Sequence, residues 1–227
     1  MRRSICGRDH YNTLHGEHQR PCLHPATAGR YSALSEPEQA PPMNFCSHCG
    51  ERVSLRVPEG DNRPRHVCDS CGRIHYQNPR IIAGCLPVYG DQVLLCRRAI
   101  EPRYGYWTLP AGFMENGEST EQAALRETLE EAQARVQLNQ LYTLTSIIHV
   151  NQVQLIYLAE LERPEFGSSN ETLESRLFSE EEIPWDQLAF TTIRNALRFY
   201  FADRRENHFP LRHIELEPGA DSLLLKP

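Results

Sequence analysis

Three glutamates share a helical spacing in the middle of the chain. Glu127, Glu130 and Glu131 occupy positions i, i+3 and i+4, which lie on one face of an α-helix. Clustered carboxylates repel one another unless a cation is bound, and this many hard oxygen ligands favours Mg²⁺ or Mn²⁺. A solvated acidic helix face is the alternative interpretation. The Leu-Pro-Ala-Gly loop at 109–112 favours the metal site, because such a loop can closely approach a metal and a phosphate.

Four of the eight cysteines form two C-x-x-C pairs separated by 18 residues, namely Cys46, Cys49, Cys68 and Cys71. Two such turns bring four thiolates around one ion, so the spacing is typical of a structural zinc site. A segment of about 34 residues with few apolar side chains needs a stabilising metal of this kind. A redox role is the alternative, but no thioredoxin-like βαβ pattern surrounds the pairs.

The composition excludes several classes of protein. The 227 residues carry a formal net charge of −6, which disfavours broad, charge-driven binding of nucleic acid. No uncharged apolar run approaches 18 residues, and the N-terminal 25 residues contain no continuous apolar stretch. Neither a transmembrane helix nor a secretory signal peptide is therefore predicted. We expect a cytoplasmic protein without a membrane partner.

Four regions follow one another along the chain. Residues 1–42 have isolated apolar residues without a helical or strand period, which predicts a disordered extension. Met43 opens a better-patterned stretch, and the hypothesis that it is the natural start would make the extension non-native. Residues 43–79 form the predicted zinc-binding region, 80–205 the main domain and 206–227 an irregular tail.

The main domain is predicted to contain both strands and helices. Apolar runs at 81–88 and 92–96, joined by Gly90-Asp91, indicate a β-hairpin. A helix is predicted over 119–132, with Ser119 or Thr120 as the N-cap. The remaining predictions are strands at 141–150 and 153–161, a polar loop at 162–179 and a helix at 192–204.

The residues around the glutamates resemble the signature of the Nudix hydrolases. That signature reads G-x₅-E-x₇-R-E-U-x-E-E-x-G-U, where U is a bulky aliphatic residue. The chain matches it with every spacing kept at Gly112, Glu118, Arg126, Glu127, Glu130 and Glu131. It departs at Thr128, Gln133 and Ala134, which are positions of helix packing and helix exit, so no charged position is lost.

The resemblance implies an α/β fold, a Nudix α/β/α sandwich with a mixed sheet, here preceded by a small zinc ribbon. It implies that Glu127, Glu130 and Glu131 bind the divalent ions, together with the backbone carbonyl of Gly112. It also implies that Arg126 pairs with Glu118 to hold the catalytic loop in shape. A zinc ribbon followed by a Nudix domain is known in NADH pyrophosphatases and in FAD/ADP-ribose pyrophosphatases, and relatives suggest a homodimer by analogy.

The expected reaction is Mg²⁺-dependent cleavage of a nucleoside diphosphate linked to a second moiety. Arg97 is the preferred phosphate ligand among the arginines that precede Trp107. The general base remains open among Glu130, Glu131, Glu171 and Glu174, and Glu174 is also a candidate substrate contact in a loop at 167–176 that could close over the substrate.

Substrate preference is argued from family pattern. NADH pyrophosphatases usually carry a Ser-Gln-Pro-Trp-Pro-Phe-Pro array after the signature, whereas 141–150 contains no proline, so FAD or ADP-ribose is favoured. One alternative is an NADH pyrophosphatase or an NAD-RNA decapping enzyme. Another is an RNA-binding regulatory module, because the predicted ribbon is basic at Arg52, Arg56, Arg63, Arg65 and Arg73.

Overall fold

The computed structural model describes residues 43–216. The predictions for the extension at 1–42 and for 217–227 lie outside these described residues. Within the described part, no helix combines the length and the apolar character that crossing a membrane requires.

The N-terminal region is a small antiparallel sheet that carries the cysteine turns. Its strands pair in the order β1–β2–β3. In each C-x-x-C turn, the glycine after the second cysteine donates its N–H to the carbonyl of the first cysteine. These glycines, Gly50 and Gly72, have φ angles of 78° and 70°, which favour a residue without Cβ. The strands are β1 (Val53–Arg56), β2 (Arg65–Cys68) and β3 (Ile74–His75).

The main domain is built on a mixed eight-stranded sheet. The strand order is β10–β5–β4–β9–β8–β11, with β6 paired to β5 and β7 paired to β4. Two neighbouring pairs, β4–β9 and β8–β11, are parallel. The strands are β4 (Arg80–Tyr89), β5 (Gln92–Arg98), β6 (Trp107–Thr108), β7 (Ala111–Phe113), β8 (Val136–Ile147), β9 (Gln152–Leu161), β10 (Thr172–Phe178) and β11 (Arg212–Leu216).

Two helices cover the two faces of this sheet, α1 (Thr120–Ala132) and α2 (Thr191–Glu206). The small buried residues of α1, including Ala123 and Ala124, pack against Cys85 and Cys96 of the hairpin strands. The apolar side chains of α2 instead pack on the other face of the sheet, in a second cluster. The predicted α/β sandwich with a mixed sheet is confirmed.

Helix α1, which carries the glutamate signature, begins where the sequence predicts. Ser119 is the N-cap of α1, and its hydroxyl accepts from the backbone N–H of Gln122 at 3.2 Å. The Gln122 side chain accepts in return from the backbone N–H of Ser119 at 2.7 Å. This reciprocal capping box satisfies two of the free N–H groups at the helix start.

The sheet opens between β4 and β5. These strands pair only at the hairpin end, through Val88–Val93 and Tyr89–Gln92. Farther along, β4 pairs with β7 and β5 pairs with β6 and β10. Gly84 permits the close approach of β7, because a Cβ at this position would lie 2.2 Å from the Cβ of Ala111.

Two predictions about irregular segments are wrong. The polar loop expected at 162–179 contains β10, an edge strand whose charged residues are exposed while Thr172 and Phe178 are buried. The irregular tail expected from 206 contains β11. Arg212 holds β11 against α2, since its guanidinium donates to Asp203, whose carboxylate also accepts from the Tyr142 hydroxyl at 2.6 Å.

Candidate active site

Three glutamates of α1, Glu127, Glu130 and Glu131, line a cleft of about 840 Å³. Glu127 and Glu131 are buried, whereas the side chain of Glu130 is 59% exposed. Glu115 from the loop before α1 and Glu171 from the segment before β10 contribute further carboxylates to the same cleft. The structure therefore brings together the three glutamates predicted to bind a divalent ion.

Arg126 fixes the loop before α1. Its guanidinium donates two hydrogen bonds to the Glu118 carboxylate, at 3.0 and 2.7 Å, and one to the carbonyl of Phe113 at 3.1 Å. A further N–H donates to Glu127 at 2.8 Å. The hydrogen bonds from Arg126 lower the pKa of Glu118 to about 2. The predicted pair of Arg126 and Glu118 is thus present, and it ties the loop to the helix.

Gly112 lies directly beside the acidic cluster. A Cβ at this position would meet the carboxyl group of Glu127 at 2.4 Å, so only glycine allows the loop this close to the helix. One residue earlier, the backbone N–H of Ala111 donates to Glu131 at 3.1 Å. The loop backbone and the two buried carboxylates therefore form one compact group of oxygen ligands.

Burial and mutual repulsion disfavour the negative charge of these carboxylates. Burial is the largest cause that raises the pKa of Glu131 to about 8, and repulsion from Glu127 adds to it. Burial also raises the pKa of Glu127. A divalent cation would relieve both effects, because it replaces lost hydration and neutralises the repulsion. The residues present therefore fit a Mg²⁺ or Mn²⁺ site.

Arg98 and Glu171 also line this cleft, and both act electrostatically on Glu131. The backbone carbonyl of Glu171 accepts from the N–H of Ala99 at 2.8 Å, which fixes the segment before β10 to the end of β5. The guanidinium of Arg98 donates to the carbonyl of Pro102 at 2.8 Å. Arg98 thus places a cation in the same cleft as the acidic cluster, where the phosphates of a substrate would need one.

The two predicted substrate contacts lie elsewhere. Arg97 and Glu174 face each other at 3.9 Å with largely exposed side chains, and neither lines the cleft. The physical reason is strand alternation, which places Arg98, but not Arg97, on the same face as Cys96. Arg98 and Glu171 line the cleft instead.

Sequence reasoning missed Gln154, which lines the part of the cleft away from the carboxylates. His149 falls within the strand predicted at 141–150, whereas the structure places it in a short 3₁₀ helix at the cleft. The signal in the sequence was a polar residue at 154 followed by the apolar run 155–159, which indicates a buried polar side chain but not its purpose.

The four predicted zinc ligands also meet. The sulfur atoms of Cys46, Cys49, Cys68 and Cys71 lie within 4.8 Å of one another, and three of the contacts measure 3.5 to 3.8 Å. A tetrahedron with Zn–S bonds of about 2.3 Å has sulfur–sulfur edges of about 3.8 Å. The cysteines therefore fit a closed structural zinc site.

Two family models match consecutive parts of the chain. Residues 44–77 match the zinc-ribbon model described as Nudix N-terminal, and residues 78–199 match the NUDIX domain. The chain belongs to the Nudix family. The resemblance predicted from the glutamate signature and the N-terminal zinc ribbon is confirmed, and the family's enzymes need a divalent metal ion.

Curated relatives and a solved structure share the Nudix domain. An NAD-capped RNA hydrolase NudC of Photobacterium profundum is 30% identical over 163 residues, covering 69% of this chain and 57% of that protein. The enzyme of the same name from Pseudomonas aeruginosa strain LESB58 is 36% identical over 96 residues, covering 40% and 31%. The chain thus matches 57% of the length of the first relative and 31% of the length of the second.

One solved structure matches a larger share of the chain than these relatives do. The crystal structure of a Nudix hydrolase from Nitrosomonas europaea superposes with a TM-score of 0.75 and 48% identity. It covers 78% of this chain and all of that chain.

Replacement of Gly112 by alanine should disrupt this Nudix site. The added methyl group would meet the Glu127 carboxyl, so we expect turnover to fall at least about tenfold and the Mg²⁺ concentration for half-maximal rate to rise. Gly90→Ala is the control for general destabilisation: its methyl group has nothing within 4 Å but strains a turn at φ 62°, so stability should fall while the Mg²⁺ requirement stays unchanged. A Mg²⁺ titration of both variants tests this, and an unchanged requirement in Gly112→Ala would contradict it.

Binding of Mg²⁺ should weaken as the pH falls. Because burial raises the pKa of Glu131 to about 8, the metal-free carboxyl is mostly protonated at neutral pH, and the cation must displace that proton. Apparent affinity should therefore drop by about tenfold per pH unit below 8. Calorimetric titration between pH 6.5 and 8.5 measures this. Constant affinity across that range would show that Glu131 is already ionised.

Proposed function

We propose that this chain is a Mg²⁺-dependent pyrophosphohydrolase. It cleaves a nucleoside diphosphate linked to a second moiety into a nucleoside monophosphate and the phosphorylated second moiety. One observation supports this above all: the buried carboxylates of Glu127 and Glu131 and the guanidinium of Arg98 line one cleft that is large enough for a nucleotide.

Each charged group has a distinct role in this proposal. Glu127, Glu130 and Glu131, together with the Gly112 loop, would hold Mg²⁺, which when bound neutralises phosphate charge and lowers the pKa of a water molecule. Arg98, which lines the same cleft, orients the diphosphate. Arg126 contacts Glu118 and the loop carbonyl, so it is a positioning residue.

The general base is proposed to be one of two cleft carboxylates. Glu130 is the most exposed of the three α1 glutamates that line the cleft, and it can reach water. Glu171 also lines the cleft, with its backbone fixed to β5. Glu174 is disfavoured because it does not line the cleft. A proton-accepting side chain must lie within hydrogen-bond reach of the attacking water.

The substrate class we favour is an NAD-type dinucleotide, either free or at the 5′ end of RNA. The names of the curated relatives support this choice over FAD or ADP-ribose. FAD or ADP-ribose remains the second candidate, because residues 141–150 lack the proline-rich array of the NADH pyrophosphatases.

RNA would meet the zinc ribbon in this proposal. Phe45 and Tyr76 are exposed there, and the guanidinium of Arg65 lies 5.2 Å from the centre of the Tyr76 ring. Exposed aromatic rings beside arginines suit single-stranded nucleic acid. A purely RNA-binding regulatory role is the weaker alternative, because a regulatory protein would not need the complete carboxylate cluster.

The test is a hydrolysis panel in Mg²⁺ with chromatographic separation of products. Its substrates are NADH, NAD-capped RNA, FAD, ADP-ribose and a dinucleoside polyphosphate. Fastest release of a monophosphate from NADH or capped RNA would support the favoured class, and fastest cleavage of FAD or ADP-ribose would support the second. No hydrolysis of any substrate would refute the enzyme proposal. Light scattering separately tests the homodimer that the analogy with relatives suggests.

A further inference from the structure

The cleft has a region without charged side chains. It is formed by β4, β9, β11 and the start of α2, on the side of the sheet away from α1. None of the described residues that these elements contribute to the cleft is an aspartate, glutamate, lysine or arginine. The lining side chains here include Ile82, Gln154, Thr192 and Leu216. Phe190 marks the border of this region, because the guanidinium of Arg98 lies 5.2 Å from the centre of its ring. Such a surface suits an uncharged planar group rather than a phosphate.

Gln154 stands out within this uncharged region. Its side chain is only 6% exposed, and its Oε1 atom is buried without a hydrogen-bond partner among residues 43–216. Buried polar groups in folded proteins are nearly always paired, and an unpaired one calls for a specific explanation. Because Gln154 lines the cleft, a bound ligand can supply the missing donor.

The strand register places Gln154 at a useful distance from the acidic cluster. Phe113 of β7 pairs with Ile82 of β4, and Ile82 pairs with Gln154 of β9. Two strand spacings separate Gln154 from the strand that carries Gly112, which is about 10 Å. A nucleoside whose diphosphate lies at the carboxylates would therefore extend its base towards Gln154.

We propose that Gln154 recognises the amino edge of adenine in the substrate. A glutamine carboxamide offers an acceptor to the adenine N6 amino group and a donor to N7, a pairing with two hydrogen bonds. Adenosine is common to NADH, the NAD cap, FAD and ADP-ribose, so this inference deepens the proposed function and rests on it for the position of the diphosphate. It holds for every substrate class retained above.

Hypoxanthine provides the discriminating ligand. It carries a carbonyl oxygen where adenine carries the amino group, so the carboxamide can form only one of the two hydrogen bonds. The loss of one bond at a buried site should weaken binding about tenfold. AMP and IMP are therefore a matched pair of probes, and neither contains a diphosphate that could be cleaved.

The experiment measures binding of AMP and IMP to the full-length chain by calorimetry with Mg²⁺ present. The wild-type protein should bind AMP about tenfold more tightly than IMP, and Gln154→Met should bind both with similar affinity. The control Gln137→Leu, an exposed position on β8, should keep the wild-type ratio. Gln154→Met should also match or exceed the wild-type melting temperature without ligand, because an unpaired buried amide is removed.

The outcomes separate this inference from the proposed function. Equal binding of AMP and IMP by the wild type, no AMP binding up to millimolar concentration, or an unchanged ratio in Gln154→Met would each overturn the role of Gln154. Selective AMP binding without any dinucleotide hydrolysis would support the adenine site while refuting the hydrolase. Hydrolysis without adenine preference would do the reverse.

Discussion

Glu130→Gln and Glu131→Gln should each lower kcat by at least about a hundredfold while leaving the fold intact. The amide keeps the size of the side chain but removes the negative charge that a divalent ion requires. Glu131 is buried and accepts a hydrogen bond from the Ala111 backbone, whereas Glu130 is largely exposed on the same helix face. Zinc content should also be unchanged. Steady-state kinetics at saturating Mg²⁺ measure kcat, the melting temperature tests the fold, and metal analysis measures zinc.

Glu174→Gln is the matched control for these variants. It removes the same charge from an exposed carboxylate that lies outside the cleft, so its turnover should remain within about twofold of the wild-type value. Near wild-type turnover in both Glu130→Gln and Glu131→Gln would remove the metal assignment. A large loss in Glu174→Gln would instead return that residue to the active site.

Cys68→Ser should unfold the zinc ribbon without unfolding the Nudix domain. The ribbon has few buried apolar residues, and the free energy of zinc binding to such modules is about 10–16 kcal/mol, so three remaining thiolates cannot hold the same fold as tightly. The Nudix domain has its own two apolar clusters. Zinc analysis should show less than one ion per chain, and amide exchange should become fast only within 44–77.

Cys85→Ala supplies the control for zinc loss. Cys85 is a fully buried thiol in the cluster between α1 and the sheet, so its replacement should lower the stability of the domain modestly and leave one zinc ion bound. If Cys68→Ser retained full zinc content and slow exchange in the ribbon, the four-thiolate site would be wrong.

Features with strong local signals were predictable from the sequence. The hairpin of β4 and β5 follows from two apolar runs around Gly90-Asp91, and α1 begins at the capping residue Ser119. The six signature positions come together as their spacing indicated, because five of them lie on, or just before, one helix. Local chemistry determines such elements.

Long-range pairing was not predictable. Strand β10 has mostly polar and charged residues because only one face of an edge strand is buried, so its pattern resembles a loop. Strand β11 exists because Arg212 pairs with Asp203 and because β8 offers a parallel partner. The choice between Arg97 and Arg98 depends on which face of β5 points to the cleft, and a sequence without a register does not give that face.

The opening between β4 and β5 has a mechanical consequence. Only two residue pairs join these strands directly, so the flanks of the sheet are free to shift relative to each other around the hairpin turn. A nucleotide that contacts Arg98 on one flank and Gln154 on the other would limit this motion, because binding lowers the free energy of the arrangement in which both contacts are made. Occupancy should therefore be readable far from the phosphates, as slower amide exchange along both strands.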